Sequence, residues 1–117
     1  MPEQLSVISK FSLKDQVIII TGAAGLLGRS YSHTVAEAGG HLVMVDIEGE
    51  AVEKLAQDLQ AKHGAEGLAL AADIADPQQV RSAVDAVMDS FGRIDALVNN
   101  VAMNPKFDPD HAGEHTN

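Results

Sequence analysis

The sequence predicts an α/β fold, a doubly wound parallel sheet assembled as β-α-β-α-β-α-β. Three observations carry that prediction. Short aliphatic runs alternate with segments of helical periodicity. The runs are apolar throughout rather than alternating, as strands buried on both faces are. The connections are short, so each strand must return parallel to its predecessor through a right-handed helical crossover.

The elements follow in order. Residues 1–15, MPEQLSVISKFSLKD, are mixed and aperiodic and read as a tail, with Phe11 and Leu13 expected to tuck under the sheet. QVIIIT (Gln16–Thr21) is the first strand, stopped by glycines. Leu27, Tyr31, Val35 and Ala38 recur at helical spacing, and Gly39-Gly40 ends that helix. HLVMVD (His41–Asp46) is the second strand. Val52, Leu55, Ala56 and Leu59 mark a second helix that stops near Gly64. GLALAAD (Gly67–Asp73) is the third strand. Asp76-Pro77 supplies an N-cap followed by proline at the first helical position. Val80, Ala83, Val84, Val87 and Met88 carry the third helix to Phe91-Gly92, and IDALVNN (Ile94–Asn100) is the fourth strand. Residues 16–102 thus form one unit, and residues 103–117, broken by Pro105, Pro109 and Gly113, read as loop.

Composition narrows the function. Eight basic against 17 acidic side chains leave a formal charge of −9, which argues against a nucleic-acid or anionic-membrane footprint. With no cysteine, disulfide scaffolds, thiolate zinc sites and thiol catalysis are excluded. Runs such as Val17–Ile20 are too short to span a bilayer, and the N-terminus lacks the apolar core of a signal peptide. The expectation is a soluble, cytoplasmic protein with a small-molecule substrate.

Thr21-Gly22-Ala23-Ala24-Gly25-Leu26-Leu27-Gly28 sits where the first strand turns into the first helix. Glycines there allow a tight bend, let a pyrophosphate approach the main chain, and let helix and sheet pack closely. The free N–H groups and partial positive charge of the helix start then hold phosphates. Asp46 ends the second strand 18 residues beyond Gly28, where a carboxylate can accept hydrogen bonds from ribose hydroxyls, the alternative being a solvated Asp that opens a turn before Glu48-Gly49. It would repel a 2′-phosphate by about 4 kcal/mol at about 4 Å and an effective dielectric near 20, which favours NAD over NADP. Arg29 lies inside the helix and is expected to face solvent.

Four features across residues 11–102 together resemble the N-terminal half of a short-chain dehydrogenase/reductase, a family with a Rossmann-type sheet. They are the TGAAGLLG turn, Asp46, the Asp73-Ile74 pair after strand three, and Asn99-Asn100-Val101-Ala102, similar to the family's NNAG segment. The resemblance implies that Gly22, Gly25, Leu26, Leu27 and Gly28 receive the pyrophosphate and that Asp46 and Ile47 meet the adenosine ribose. It also implies that Asp73 and Ile74 meet the adenine, and that Asn100, Val101 and Ala102 line the cofactor at the sheet's carboxyl edge. Val101 and Ala102 depart from the family's Ala and Gly. Strand-end turn chemistry is the alternative role for Asp73, and a tie between loops is the alternative for Asn99.

The family's proton donor, a Tyr four residues before a Lys with an upstream Ser, has no counterpart here. The one tyrosine is Tyr31, and Val stands at position 35. No catalytic residue can be assigned. A sheet of this kind usually runs 3-2-1-4-5-6, so strand four would be a bare edge. The first two helices should cover one face and the third much of the other. The sequence therefore reads as a truncated gene product or a fragment of a longer enzyme, with a homo-oligomer expected for the full-length form. His111-Ala112-Gly113-Glu114-His115 spells the inverted zinc-protease signature. Gly113 inside it and Pro109 before it oppose the stable helix that chemistry needs, so no metal is expected. Two other readings stand beside an NAD-linked oxidoreductase. One is a non-catalytic nucleotide-binding module. The other is a sugar-nucleotide epimerase or dehydratase, suggested by the TGxxGxxG spacing and opposed by Asn99-Asn100-Val101-Ala102.

Overall fold

The computed structural model describes residues 10–101. Its four strands are β1 (Val17–Thr21), β2 (His41–Asp46), β3 (Gly67–Ala71) and β4 (Ala96–Val98), and its three long helices are α1 (Leu26–Glu37), α2 (Gly49–His63) and α3 (Pro77–Phe91). The strands form one parallel sheet in the order β3-β2-β1-β4, the first four places of the expected arrangement. β4 is shorter than the run Ile94–Asn100 predicts, and β3 stops at Ala71. Both are edge strands among the described residues, with one neighbour each to hold their ends in register.

Side chains alternate across the pleat and so divide the core in two. Ile18, Ile20, Leu42 and Met44 point to one face, where Val35 and Ala36 of α1 and Val52, Leu55 and Leu59 of α2 cover them. Val17, Val43 and Val45 point to the other, against Val87 and the partly buried Phe91 of α3. Fully burying a side chain such as Leu42 or Leu59 stabilises the fold by about 1.5–3 kcal/mol. The central strand β2 is buried along Leu42–Val45.

Two helix faces differ from the periodic reading. On α1, Leu27 and Tyr31 are exposed, and Gly28, Ser32, Val35 and Ala36 are buried. Small residues let this helix lie close on the sheet, and Ser32 is satisfied by donating to the Gly28 carbonyl at 2.7 Å. On α3 the predicted stripe exists, but Val87 is its one fully covered member, and Val80, Val84 and Met88 are exposed. Near the chain start, Leu13 packs on the α1–α2 core and donates its N–H to Ala38 at 2.9 Å. Phe11, expected under the sheet, is instead 78% exposed. Asp76 caps α3 as predicted, accepting from the Gln78 N–H at 3.0 Å with proline following.

Candidate functional site

Because the strands run parallel and in register, Thr21, Asp46, Ala71 and Val98 all end at one edge of the sheet. Open α/β sheets place ligands at that edge. A cavity of about 360 Å³ lies there, lined by Gly22, Gly25, Asp46, Ile47, Asp73, Ile74, Asn100 and Val101, with Val45 and Ala72. Eight of the twelve residues named from the sequence therefore share one concavity. Leu26 and Leu27 project outward at the start of α1, and Gly28 lies behind the turn. Ala102 lies outside the described residues, as does the stretch His111–His115.

The turn from β1 into α1 is shaped for close approach. Gly22 adopts φ +63°, and a Cβ on it would press on Val101 Cγ2 at 3.2 Å and Asn100 Nδ2 at 3.4 Å. At Gly28 a Cβ would overlap the Gly22 carbonyl oxygen and stand 2.7 Å from Ala23 Cα, so only glycine lets α1 sit against the turn. Gly25 is the N-cap of α1, no side chain caps the helix, and its first turn carries no acidic residue. The first N–H groups of α1 and its positive dipole end thus open where Gly25 lines the cavity. Arg29 is exposed on the outside of α1, as expected.

Asp46 is held from two directions. Its Oδ2 accepts the Ala24 N–H at 3.0 Å and its Oδ1 accepts the Glu48 N–H at 2.9 Å. Each carboxylate oxygen accepts two hydrogen bonds, so one acceptor position per oxygen remains for a ligand. Asp73 Oδ1 accepts from the Ala75 N–H at 3.0 Å, the turn role weighed for it, and the residue also lines the cavity. The Asp73 N–H donates to Gln79 Oε1 at 2.8 Å. On the opposite wall the Thr21 hydroxyl accepts the Asn100 N–H at 3.1 Å, and Asn100 Nδ2 donates to the Gly22 carbonyl at 3.3 Å. Asn99 joins this tie, its Oδ1 lying 3.4 Å from the Thr21 hydroxyl.

The sequence reading missed the Thr21 hydroxyl, the Ala24 N–H and Gln79. A hydroxyl residue ending a strand just before the glycine turn was the available signal for Thr21. Its partner becomes evident only once β4 is known to lie beside β1.

A family model described as short chain dehydrogenase matches residues 16–116, most of the chain. The chain belongs to the short-chain dehydrogenase family. It is 39% identical over 101 residues to D-threitol dehydrogenase from Mycolicibacterium smegmatis, spanning 86% of this chain and 38% of that protein. It also superposes on the crystal structure of L-sorbose reductase from Gluconobacter frateurii complexed with NADPH and L-sorbose. That match has a TM-score of 0.80 at 30% identity, over 87% of this chain and 39% of the other. An NAD+-bound xylitol dehydrogenase matches with a TM-score of 0.74 at 31% identity, over 78% of this chain and 35% of that one. This short-chain dehydrogenase sequence therefore spans well under half the length of these relatives, and its Rossmann-type sheet is theirs. Both nicotinamide forms occur among these related structures, NADPH with the L-sorbose reductase and NAD+ with the xylitol dehydrogenase.

Proposed function

We propose that this chain is the NAD-holding unit of an oxidoreductase that moves hydride between nicotinamide and the alcohol or ketone carbon of a polyol or related sugar. The observation that carries this reading is the Asp46 carboxylate, clamped by the Ala24 and Glu48 N–H groups on the rim of the cavity. A carboxylate so fixed accepts from the two adenosine ribose hydroxyls and repels a 2′-phosphate. The backbone of Gly22, Gly25, Leu26, Leu27 and Gly28 and the start of α1 would neutralise the pyrophosphate. Ile47 and Ile74 would flank the adenine, with Asp73 Oδ2 accepting from its amino group. Asn100 and Val101, with Ala102 after them, would line the ribose next to the nicotinamide. When bound, the dinucleotide supplies or takes up the hydride, and the protein residues position it and exclude water. The polyol class is supported by the relatives, which include a D-threitol dehydrogenase, a xylitol dehydrogenase and an L-sorbose reductase.

Hydroxyl oxidation also needs a group placed to carry the proton. Tyr31 is exposed on α1, away from the cavity, and no Tyr-x-x-x-Lys occurs in the 117 residues. The chain by itself should bind the cofactor without turning over an alcohol or ketone. Titration calorimetry on the intact chain tests the binding. NAD should bind about a hundredfold more tightly than NADP, equivalent to about 2.8 kcal/mol, and Asp46→Ala should narrow that gap. Equal affinities for the two dinucleotides, or no binding of either, would overturn the reading. A protein-dependent change in NADH absorbance with a polyol or ketose would overturn the inactivity.

A further inference from the structure

His33 and His63 meet across the seam between α1 and α2, although 30 residues separate them in the chain. His33 Nδ1 and His63 Nε2 lie 3.2 Å apart, with the rings crossed edge to face and their centroids 5.5 Å apart. His63 is exposed and His33 partly so, which leaves both imidazole edges open to solvent. Neither residue belongs to the cavity at the carboxyl edge or to either apolar core.

We infer that His33 and His63 form a two-imidazole site for a first-row divalent cation of the zinc, nickel or copper type, clamping α1 to α2. The spacing suits coordination. An ion about 2.05 Å from each nitrogen, the usual zinc–imidazole distance, subtends about 100° across such a gap, between octahedral and tetrahedral angles. In the free protein one N–H···N hydrogen bond presets that spacing. Each ring then needs only to turn so that its lone pair meets the ion off the line joining the two nitrogens, and exposed side chains have room to turn.

The surroundings select the kind of ion. Besides His63 itself, the charged groups near His33 are Lys62, Arg29 and Asp58, two cations against one carboxylate. That balance attracts no divalent cation by charge alone, and two imidazole nitrogens do not supply the oxygen donors on which magnesium and calcium depend. Imidazole donation must hold the ion, which favours copper, nickel and zinc. Among the described residues no group of three or more His, Cys, Asp or Glu forms a ligand set, so these residues supply two ligands and leave the other coordination positions open. The site is therefore an exchangeable clamp rather than a closed structural centre. It is separate from the nucleotide reading and survives that reading's failure.

The test is thermal unfolding and titration calorimetry of the full chain with zinc chloride, together with copper(II) EPR. An ion bound to the folded form alone raises the unfolding midpoint. The wild type should gain several degrees at saturating zinc, and its copper spectrum should show two coordinating nitrogens. His33→Ala and His63→Gln should each weaken binding at least tenfold and leave one nitrogen. The Gln retains hydrogen bonding without an imidazole. His111 and His115 are the rival ligands, so the His111→Ala/His115→Ala double variant should keep the full effect. Absence of binding in the wild type would overturn the inference. So would an effect that survives His63→Gln and disappears in the double variant.

Discussion

The Thr21 hydroxyl accepts the backbone N–H of Asn100 at 3.1 Å, joining the last residue of β1 to the chain leaving β4. With the Asn100 side chain bonded to the Gly22 carbonyl, this contact fixes the distance between the glycine turn and the opposite wall of the cavity. Two segments nearly 80 residues apart thereby form one rigid rim.

Replacing that hydroxyl isolates its role. Thr21→Val keeps the volume and the strand propensity but leaves the Asn100 N–H without its acceptor, at a cost of about 1–2 kcal/mol. Denaturant unfolding should show that loss, and dinucleotide affinity should fall with it. A variant as stable and as tightly binding as wild type would mean that the rim is held elsewhere.

Gly28→Ala should be far more damaging than its one added methyl suggests. The new Cβ meets backbone atoms of Gly22 and Ala23, which cannot step aside as a flexible side chain would. The expected loss is about 3 kcal/mol, with α1 displaced and cofactor binding abolished. Gly25→Ala is the control, because its nearest contact, the Gly22 carbonyl oxygen at 3.4 Å, is ordinary packing. Equal stabilities of the two variants would contradict the close packing of α1.

At the opposite edge of the sheet, Asp95 Oδ2 accepts the Val17 N–H at 2.7 Å and Oδ1 pairs with the Arg93 guanidinium at 2.6 Å. The Arg93 hydrogen bond, then the Val17 N–H, hold the Asp95 carboxyl below its ordinary value of 3.8. A carboxylate depressed in the folded state binds protons more readily when unfolded. Its stabilisation is present above the ordinary value and is lost as pH falls through the lower folded one. Unfolding midpoints measured from about pH 6 down to about pH 3 should fall at the acid end, and Asp95→Asn should flatten part of that fall. Asp76, lowered by the Gln79 side chain and the Gln78 N–H, supplies another part that the substitution leaves intact. An unchanged acid limb in Asp95→Asn would remove the Arg93–Asp95–Val17 contact as a source of stability.

The α3 face predicts association. Leu97 is 59% exposed and Met88 45%, Val84 and Ile94 are also open, and among the described residues β4 pairs with β1 alone. An apolar surface beside a strand edge is a template for a second chain. Light scattering on the purified 117-residue chain should show self-association, and Leu97→Lys should reduce it. A monodisperse monomer with a steep denaturant transition would contradict this.

Periodicity and turn chemistry determined the element order and the parallel sheet, and they singled out the glycine turn and Asp46, whereas Asp73, Ile74, Asn100 and Val101 were named through the family resemblance. β-branched runs stopped by glycine declare buried strands, and parallel strands must carry their carboxyl ends to one edge, so Gly22, Asp46, Asp73 and Asn100 were bound to converge. Tertiary structure decided what depends on neighbours distant in sequence. α1 turns its small residues Gly28 and Ser32 inward and leaves Leu27 and Tyr31 out, because close contact with the sheet selects for size before hydrophobicity. The α3 stripe stays open because burial needs an opposing surface, which hydrophobic spacing along one helix cannot specify. The Ala24 clamp on Asp46, the Thr21–Asn100 tie and the His33–His63 pair all join groups 22 to 79 residues apart. Hydrogen bonds of that kind are set by strand order and register, which are properties of the assembled sheet and have no period in the chain.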